Sequence, residues 1–371
     1  MGAPIERVEV FEPTFDLPRR RLFSTGGNTD RGATLVKITD ADGRAGWGET
    51  YPVPAGVAII RAAAATLIGR DPQDATASWN LVWDASLGNG FATGALSIAL
   101  DDLRARQLGV SVARLYGGPT RDRVRAYASS EGYIEGRTPI DAWLPEAERV
   151  VAAGFRGMKL RIGREPIVRE LRDAAALRRA FPDLDLMADG NAAYTLHEAV
   201  EVGHALHDLA FDWFEEPLPT TGYIGYERLR ERLPLALAGG ESLQGRLEAH
   251  DPIERGAFDA IQPDVSICGG IGDGLAIAEL ARLVAMGIHP HACNGAIGLA
   301  ATLQLHAVLP DPTRLASYQP LLEVDFGFNP TRTDLLTTPL DFRNGWYTIP
   351  TGPGLGVDVD EAFVRRHDRA H

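Results

Sequence analysis

Between residues 154 and 291 short apolar runs alternate with amphipathic segments, and the apolar runs end on polar residues of catalytic type. GFRGMKLRIG closes on Lys159 and Arg161, LDLMADGN on Asp189 with Asn191 just after, and FDWFEEPLP on Glu215 and Glu216. LPLALAGGES ends on Glu241, FDAIQPDVSICGG carries Asp264, and MGIHPHACNG delivers His291. Segments such as EPIVRELRDAAALRRAF and DGLAIAELARLVAMG lie between them and have helical character. An apolar strand, a polar end and an amphipathic helix, repeated, predict a βα array around a parallel sheet.

Outside this array the pattern changes. Residues 1 to about 50 read as strands: IERVEVFEPTF alternates, and ATLVKITDADGRAGWGET is a hairpin turning at Asp42–Gly43. RRRLFSTGGNTD between them reads as a polar, glycine-rich loop. Residues 56 to about 118 are rich in Ala and Leu and predict helices. Strands followed by helices make an α+β unit, with a boundary near residue 120. RDRVRAYASS then opens the barrel, RLASYQPLLEVDF supplies its last strand, and a Pro- and Gly-rich tail follows from about residue 326.

Asp189, Glu215 and Glu241 are spaced 26 residues apart. One βα unit per interval puts the three carboxylates on successive strand ends, which in a (β/α)8 barrel converge on one rim. Three acidic side chains converging there repel unless a hard cation lies between them, and Mg²⁺ suits oxygen ligands. Each of these acids taken alone reads equally well as a helix cap or ion-pair partner. Alternation turns Glu216 away from Glu215, as a structural residue, and gives Asn191 the parity of Asp189. Asp264 lies about one βα unit before His291, close enough for a carboxylate to orient the imidazole and raise its basicity.

The ordered set KLR (159–161), ADGN (188–191), EEP (215–217), GGES (239–242), QPDVSICGGI (262–271), PHACNGAIGLAA (290–301) and PGLGVDVDE (353–361) closely resembles the enolase superfamily, in its mandelate racemase-like subgroup. The resemblance covers nearly the whole chain. It implies a modified (β/α)8 (TIM) barrel over 121–325, an α+β capping domain over 1–120, and a segment over 326–371 that returns to complete the cap. It makes Asp189, Glu215 and Glu241 ligands of Mg²⁺ and His291 with Asp264 a catalytic dyad. It sets Lys159 and Arg161 on the opposite face of the substrate and assigns Glu323, at the last strand, to holding the enolate oxygen.

Two departures shape the expected chemistry. Relatives in the muconate-cycloisomerase branch carry Lys where this chain has Asp264, which argues against lactonisation. Many relatives carry Lys at both positions of the KLR motif, the second serving as base; Arg161 stays protonated and is a poor base. His291 is then the proton-transfer residue, and one base suffices for dehydration. The expected reaction is proton removal next to a carboxylate, followed by loss of a β-hydroxyl from a sugar acid or other hydroxy acid to give a 2-keto-3-deoxy acid. The alternatives are a racemase or epimerase using Lys159 as second base, a Schiff-base aldolase on Lys159, and a non-catalytic binding barrel.

The remaining features narrow the setting. A net charge of −13 with no basic run speaks against nucleic acid as a partner. Cys268 and Cys293, without a CxxC, read as buried packing residues in a reducing cytoplasm. No apolar run approaches the about 18 residues of a membrane span, and the N-terminus carries no apolar signal core. The expected partners are a small carboxylate substrate and further copies of the chain. GGIGDG (269–274) is an incomplete dinucleotide fingerprint and reads as a tight βα turn; segments 24–32 and 51–56 read as lids or as plain surface loops.

Overall fold

The computed structural model describes residues 2–310 and 319–369. The chain opens with β1 (Ile5–Phe11), β2 (Thr14–Phe23), β3 (Gly26–Gly32), β4 (Thr34–Asp40) and β5 (Ala45–Thr50). β1, β4 and β5 form an antiparallel sheet in that order. Helices α1 (Gly56–Ala64), α2 (Ala75–Ala85), α3 (Gly90–Leu108) and α4 (Val112–Leu115) follow. Helix α3 lies directly on β5. Gly46 and Gly48 permit this: a Cβ at either would sit 2.2 Å from Ala99 O or 2.0 Å from Ala95 O. Val36, Ile38, Ile60, Leu96 and Leu103 fill the space between sheet and helices.

The segment 19–30, expected to be a loop, is instead most of the hairpin β2–β3. Its composition is polar because little of it is buried in the cap; only Arg21 and Leu22 of β2 are buried. β2 pairs on its other edge with β7 (Tyr133–Ile134), which follows the first barrel strand, β6 (Arg123–Ser129). The hairpin is thus tied at Arg21 and Leu22 to a strand of the barrel domain, which a local reading of the sequence cannot anticipate.

After β7 the chain runs as α5 (Pro139–Ala152), β8 (Gly157–Arg161), α6 (Ile167–Ala180), β9 (Asp185–Asp189), α7 (Leu196–Asp208), β10 (Trp213–Glu215) and α8 (Ile224–Arg230). It continues as β11 (Ala236–Gly239), α9 (Arg246–Glu254), β12 (Ala260–Ile261), α10 (Ile271–Leu283), β13 (Gly287–Ile288), α11 (Ala296–Val308) and β14 (Leu322–Asp325). β6 and β8 to β13 pair in parallel in sequence order, and β14 returns beside β6, also in parallel. A side-chain bond from Leu321 N to His289 Nδ1 (3.0 Å) spans the β13–β14 seam. The eighth βα unit has only the one-turn α12 (Pro330–Thr333) after its strand, so the barrel is of the modified type. Residues 314–318 of the expected last strand lie outside the described residues.

The barrel interior is plugged by Tyr127, Met187, Trp213, Ala238 and Ala260. Strand alternation sets Ser129, Asp189 and Glu215 on the same face as Tyr127, Met187 and Trp213, two residues nearer the C-terminal end. The apolar plug is therefore the floor on which the polar rim stands. Beyond α12, β15 (Phe342–Arg343) and β16 (Trp346–Thr348) form a hairpin whose second strand pairs antiparallel with β6. The last helix, α13 (Glu361–His367), lies against the cap: Glu361 pairs with Lys37 at 2.6 Å and Phe363 stacks on Phe15.

Candidate active site

Strand register aligns the first acids. Arg161 on β8 is level with Asp189 on β9, and Asp189 with Glu215 on β10. Glu241 follows β11 after Gly240, whose φ of 100° is open to glycine and strained for other residues. Each of Asp189, Glu215 and Glu241 offers a carboxylate oxygen within 4.8 Å of the others. Glu215 Oε2 accepts from Gln262 Nε2 (2.7 Å) and Trp213 Nε1 (3.2 Å), and Asp189 Oδ1 from the Asn191 amide (2.8 Å). Asn191 Nδ2 donates to Asp189 Oδ2 at 3.0 Å. Burial pushes the Asp189 and Glu215 carboxyls up, against the cations beside them. Glu216 turns away, with φ of 34°, and accepts from the Gly240 amide at 3.2 Å.

His291 lies three residues beyond β13 and Asp264 three beyond β12. His291 Nδ1 is 2.7 Å from Asp264 Oδ2, and both side chains are buried. Asp264 is held from several sides: Tyr51 Oη donates to Oδ2 (2.8 Å), and the Ser266 amide (2.7 Å) and Asn294 Nδ2 (3.2 Å) donate to Oδ1. His291 Nε2 faces the acids, 3.3 Å from Glu241 Oε2 and 3.9 Å from Glu323 Oε2. Burial works to lower the imidazole pKa, but Glu241 and Glu323 outweigh it and carry it well above its ordinary value.

Lys159 is fully buried. Its ammonium pairs with Glu215, lies 2.8 Å from Glu323 Oε1 and is 3.8 Å from Asp189 Oδ2. Burial alone would favour the neutral amine; Glu215 and Glu323 reverse that and push the pKa well up. Arg161 pairs with Asp189 and donates to Asn191 Oδ1 (3.2 Å) and Ser129 Oγ (3.3 Å). Glu323 stands between the two faces, Lys159 on one oxygen and His291 near the other. Burial raises its pKa, yet Lys159, His291 and Arg161 bring it far below the usual carboxylate range.

Asp189, Glu215, Glu241, Asp264 and Glu323 thus face Lys159, Arg161 and His291, so carboxylates outnumber cations even with the imidazole protonated. Among the three converging acids the donors are all oxygen, and Glu241 Oε2 has no hydrogen-bond donor of its own. That set fits a hard divalent cation such as Mg²⁺.

The cap supplies residues that the sequence reading did not single out. Tyr51 reaches Asp264, and Ser24 Oγ donates to Asn191 O at 3.0 Å. Phe23 lies beneath the guanidinium groups of Arg21 (5.0 Å) and Arg161 (5.8 Å). Arg31 and Arg21 pair with Asp325 at 2.6 and 3.4 Å. Glu49 accepts from the Gly295 amide and, at 2.8 Å, from the Gly298 amide at the start of α11. Segments 24–32 and 51–56 therefore both contribute contacts at the barrel mouth. Beyond the reading of these segments as lids, the readable trace is the run Arg19–Arg21 in β2, which signals distant acids without naming them. Cys268 is buried and bonds Gly270 O; Cys293 is buried with its Sγ 3.5 Å from Glu323 Oε1.

Known proteins resemble this chain over most of its length. Residues 143–363 match the enolase C-terminal domain-like family, and residues 7–117 match the mandelate racemase / muconate lactonizing enzyme N-terminal domain. The chain is 35% identical to a D-galactarolactone cycloisomerase of Agrobacterium fabrum, covering 95% of each. It is 30% identical to a D-gluconate dehydratase of Thermoproteus tenax, covering 90% of this chain and 69% of that one. A racemase from Streptomyces coelicolor, solved with bound magnesium, superimposes with a TM-score of 0.86 at 26% identity, covering 98% of this chain and 99% of the other. Among the described residues no helix is long and apolar enough to cross a membrane. With both family domains matched in order along one chain, the protein is an enzyme of the mandelate racemase / muconate lactonizing enzyme family in the enolase superfamily.

Proposed function

We propose that this enzyme removes the proton α to the carboxylate of a sugar acid and then expels the β-hydroxyl as water. The observation that carries this reading is the asymmetry of the site. On one side His291, oriented by Asp264, directs Nε2 inward. On the other, Arg161 cannot act as a base and the Lys159 ammonium is enclosed by Glu215 and Glu323. A single effective base suits elimination, whereas racemisation needs a base on each face. The same enclosure of Lys159 disfavours Schiff-base chemistry, which requires the neutral amine.

In this scheme His291 Nε2 takes the α-proton, and the electron pair of the C–H bond passes into an enediolate. Lys159 and Arg161 stabilise the developing negative charge in a site shielded from water. Asp189, Glu215 and Glu241 would hold Mg²⁺, which when bound would supply Lewis-acid stabilisation of the same charge. The β-carbon–oxygen bond then breaks. The leaving oxygen carries off the electron pair and takes the proton back from the His291 imidazolium, leaving as water. The enol that remains becomes a 2-keto-3-deoxy acid. Glu323, between Lys159 and His291, positions both. The dehydratase relative supports this outcome.

A second reading follows from the galactarolactone cycloisomerase relative. If the β-oxygen belongs to a lactone ring, the same proton removal breaks the ring C–O bond and no water is lost. Asp264 in place of a lysine argued against ring closure from the muconate side. It does not argue against ring opening, which uses the His291 base unchanged. Incubating the enzyme and Mg²⁺ with a panel of sugar acids and their lactones, followed by NMR and 2-keto acid detection, decides between them. Dehydration of open acids supports the first reading and water-free opening of lactones the second; wash-in of deuterium without either reaction would favour a racemase.

We also propose residues 1–120 as the cap, 121–325 as the barrel and 326–371 as a segment completing the cap. The ion pairs Lys37–Glu361 and Glu9–Arg365 and the bridge between Pro13 and Asp368 support that division.

A further inference from the structure

We propose that His291, Cys293 and Glu323 form a second cation site, selective for thiophilic divalent metals such as zinc, whose occupation silences the enzyme. Each of the three offers a ligand atom within 4.8 Å of the other two, and all three side chains are buried. Imidazole nitrogen, thiolate and carboxylate are the ligand types that zinc takes in tetrahedral sites, with a fourth position left for water. The donor set differs in kind from the all-oxygen cluster of Asp189, Glu215 and Glu241. Mg²⁺ has little affinity for a thiolate, so the two clusters sort metals by softness.

Two further observations point to a ligand here. Glu323 Oε2 is buried without a hydrogen-bond partner, while its other oxygen is taken by Lys159. His291 is already arranged as a metal-binding histidine: Nδ1 is held by Asp264 at 2.7 Å, which directs Nε2 inward. A carboxylate behind the imidazole fixes the tautomer and strengthens the ligand in zinc sites generally. Cys293 lies two residues after His291, with its Sγ 3.5 Å from Glu323 Oε1.

Binding replaces the thiol proton of Cys293, and any proton on His291 Nε2, with the metal, and those protons pass to solvent. The lone pair of His291 is then committed to the metal and cannot accept a substrate proton. The inhibition therefore rests on the reading of His291 as the base; the site itself does not.

The test uses the full chain with excess Mg²⁺, cadmium as a spectroscopic stand-in for zinc, and zinc in activity assays. Cadmium is expected to produce an ultraviolet thiolate-to-metal charge-transfer band that Cys293→Ser abolishes and Cys268→Ser leaves in place. His291→Asn keeps the thiol but loses a ligand, and Asp264→Asn loosens the imidazole. Each should weaken cadmium binding by about 10–100-fold, the range that orienting partners of metal ligands command. Zinc should inhibit the wild type at Mg²⁺ saturation, and Cys293→Ser should need a more than about tenfold higher concentration, since a hydroxyl is a poor zinc ligand. No band, or a band that persists in Cys293→Ser, overturns the proposal. So does cadmium affinity that is unchanged in His291→Asn. A Cys293-dependent band without inhibition supports the metal site and overturns the assignment of His291 as base.

Discussion

Tyr51 Oη donates to Asp264 Oδ2 at 2.8 Å, and that same oxygen holds His291 Nδ1 at 2.7 Å. Tyr51 stands just past β5 in the cap, so the orientation of the His291 imidazole, the proposed base, depends on a residue from the other domain. A hydrogen bond to a charged group contributes about 1.5–3 kcal/mol, which corresponds to roughly 10–100-fold in rate if it acts in the transition state. Tyr51→Phe removes only the hydroxyl. It is expected to lower kcat within that range and leave KM and metal affinity nearly unchanged. In an Asp264→Asn background the further effect of Tyr51→Phe should shrink, because the two residues act through one carboxylate. Equal losses in both backgrounds, or a change confined to KM, would show that Tyr51 acts elsewhere.

If His291 is the only α-proton base, His291→Asn should lose both elimination and exchange of the α-proton with solvent, by several orders of magnitude. NMR of an active substrate in D₂O reads the exchange directly. Asp264→Asn should slow the same two steps together. Exchange at the wild-type rate in His291→Asn would transfer the role to Lys159 and bring the racemase reading forward.

The barrel was legible in the sequence because its information is periodic. Apolar runs with polar ends recur once per βα unit, and the equal spacing of Asp189, Glu215 and Glu241 places acids on neighbouring strands whatever the helices between them do. Asp264 and His291 were also legible, although β12 and β13 are only two residues long and both side chains stand beyond them. The cap contacts were not. Tyr51 meets Asp264 across 213 positions and Glu49 meets Gly298 across 249, and no local pattern encodes such pairs. The hairpin β2–β3 was hidden for a related reason: its partners are β7 and the barrel mouth, and its Arg19, Arg21 and Arg31 pair with barrel acids there. The surroundings of Lys159 were equally out of reach, since parity assigns a face to a side chain but says nothing of which acids enclose it.

The three-acid cluster should respond to loss of one carboxylate. Glu241→Gln keeps the side chain's size but removes a charge next to His291 Nε2. Mg²⁺ binding by calorimetry should weaken by at least about tenfold, consistent with losing an anionic oxygen ligand of a hard cation, and turnover should be lost. The fold should persist, because the apolar floor of Tyr127, Met187 and Trp213 is untouched. Saturating Mg²⁺ should raise the unfolding free energy of the wild type, as any ligand that binds only the native state does, by about 2.7 kcal/mol at a hundredfold excess over Kd. The shift should be smaller in Glu241→Gln. Full activity of the variant in the presence of EDTA would remove these acids from the metal site.

Glu49 gives a prediction about pH and cap docking. It belongs to β5 but accepts from the amides of Gly295 and Gly298 at the start of α11, fastening cap to barrel. Burial pushes its carboxyl from the ordinary 4.5 up to about 7, even though the two amide donors work to lower it. A carboxyl whose pKa is raised in the folded state binds its proton more tightly there than in the unfolded chain. Its contribution to stability is therefore fully present below about pH 4.5, falls as pH rises and is gone above about pH 7. At about 1.4 kcal/mol per unit, the loss across that window is roughly 3 kcal/mol. Glu49→Gln keeps an acceptor oxygen and cannot ionise, so its urea midpoint should fall less than that of the wild type between pH 5 and 8. Other titrating groups are common to both proteins and cancel in the comparison. Parallel pH profiles for the two would show that Glu49 is ionised throughout and that the helix amides, not burial, govern its charge.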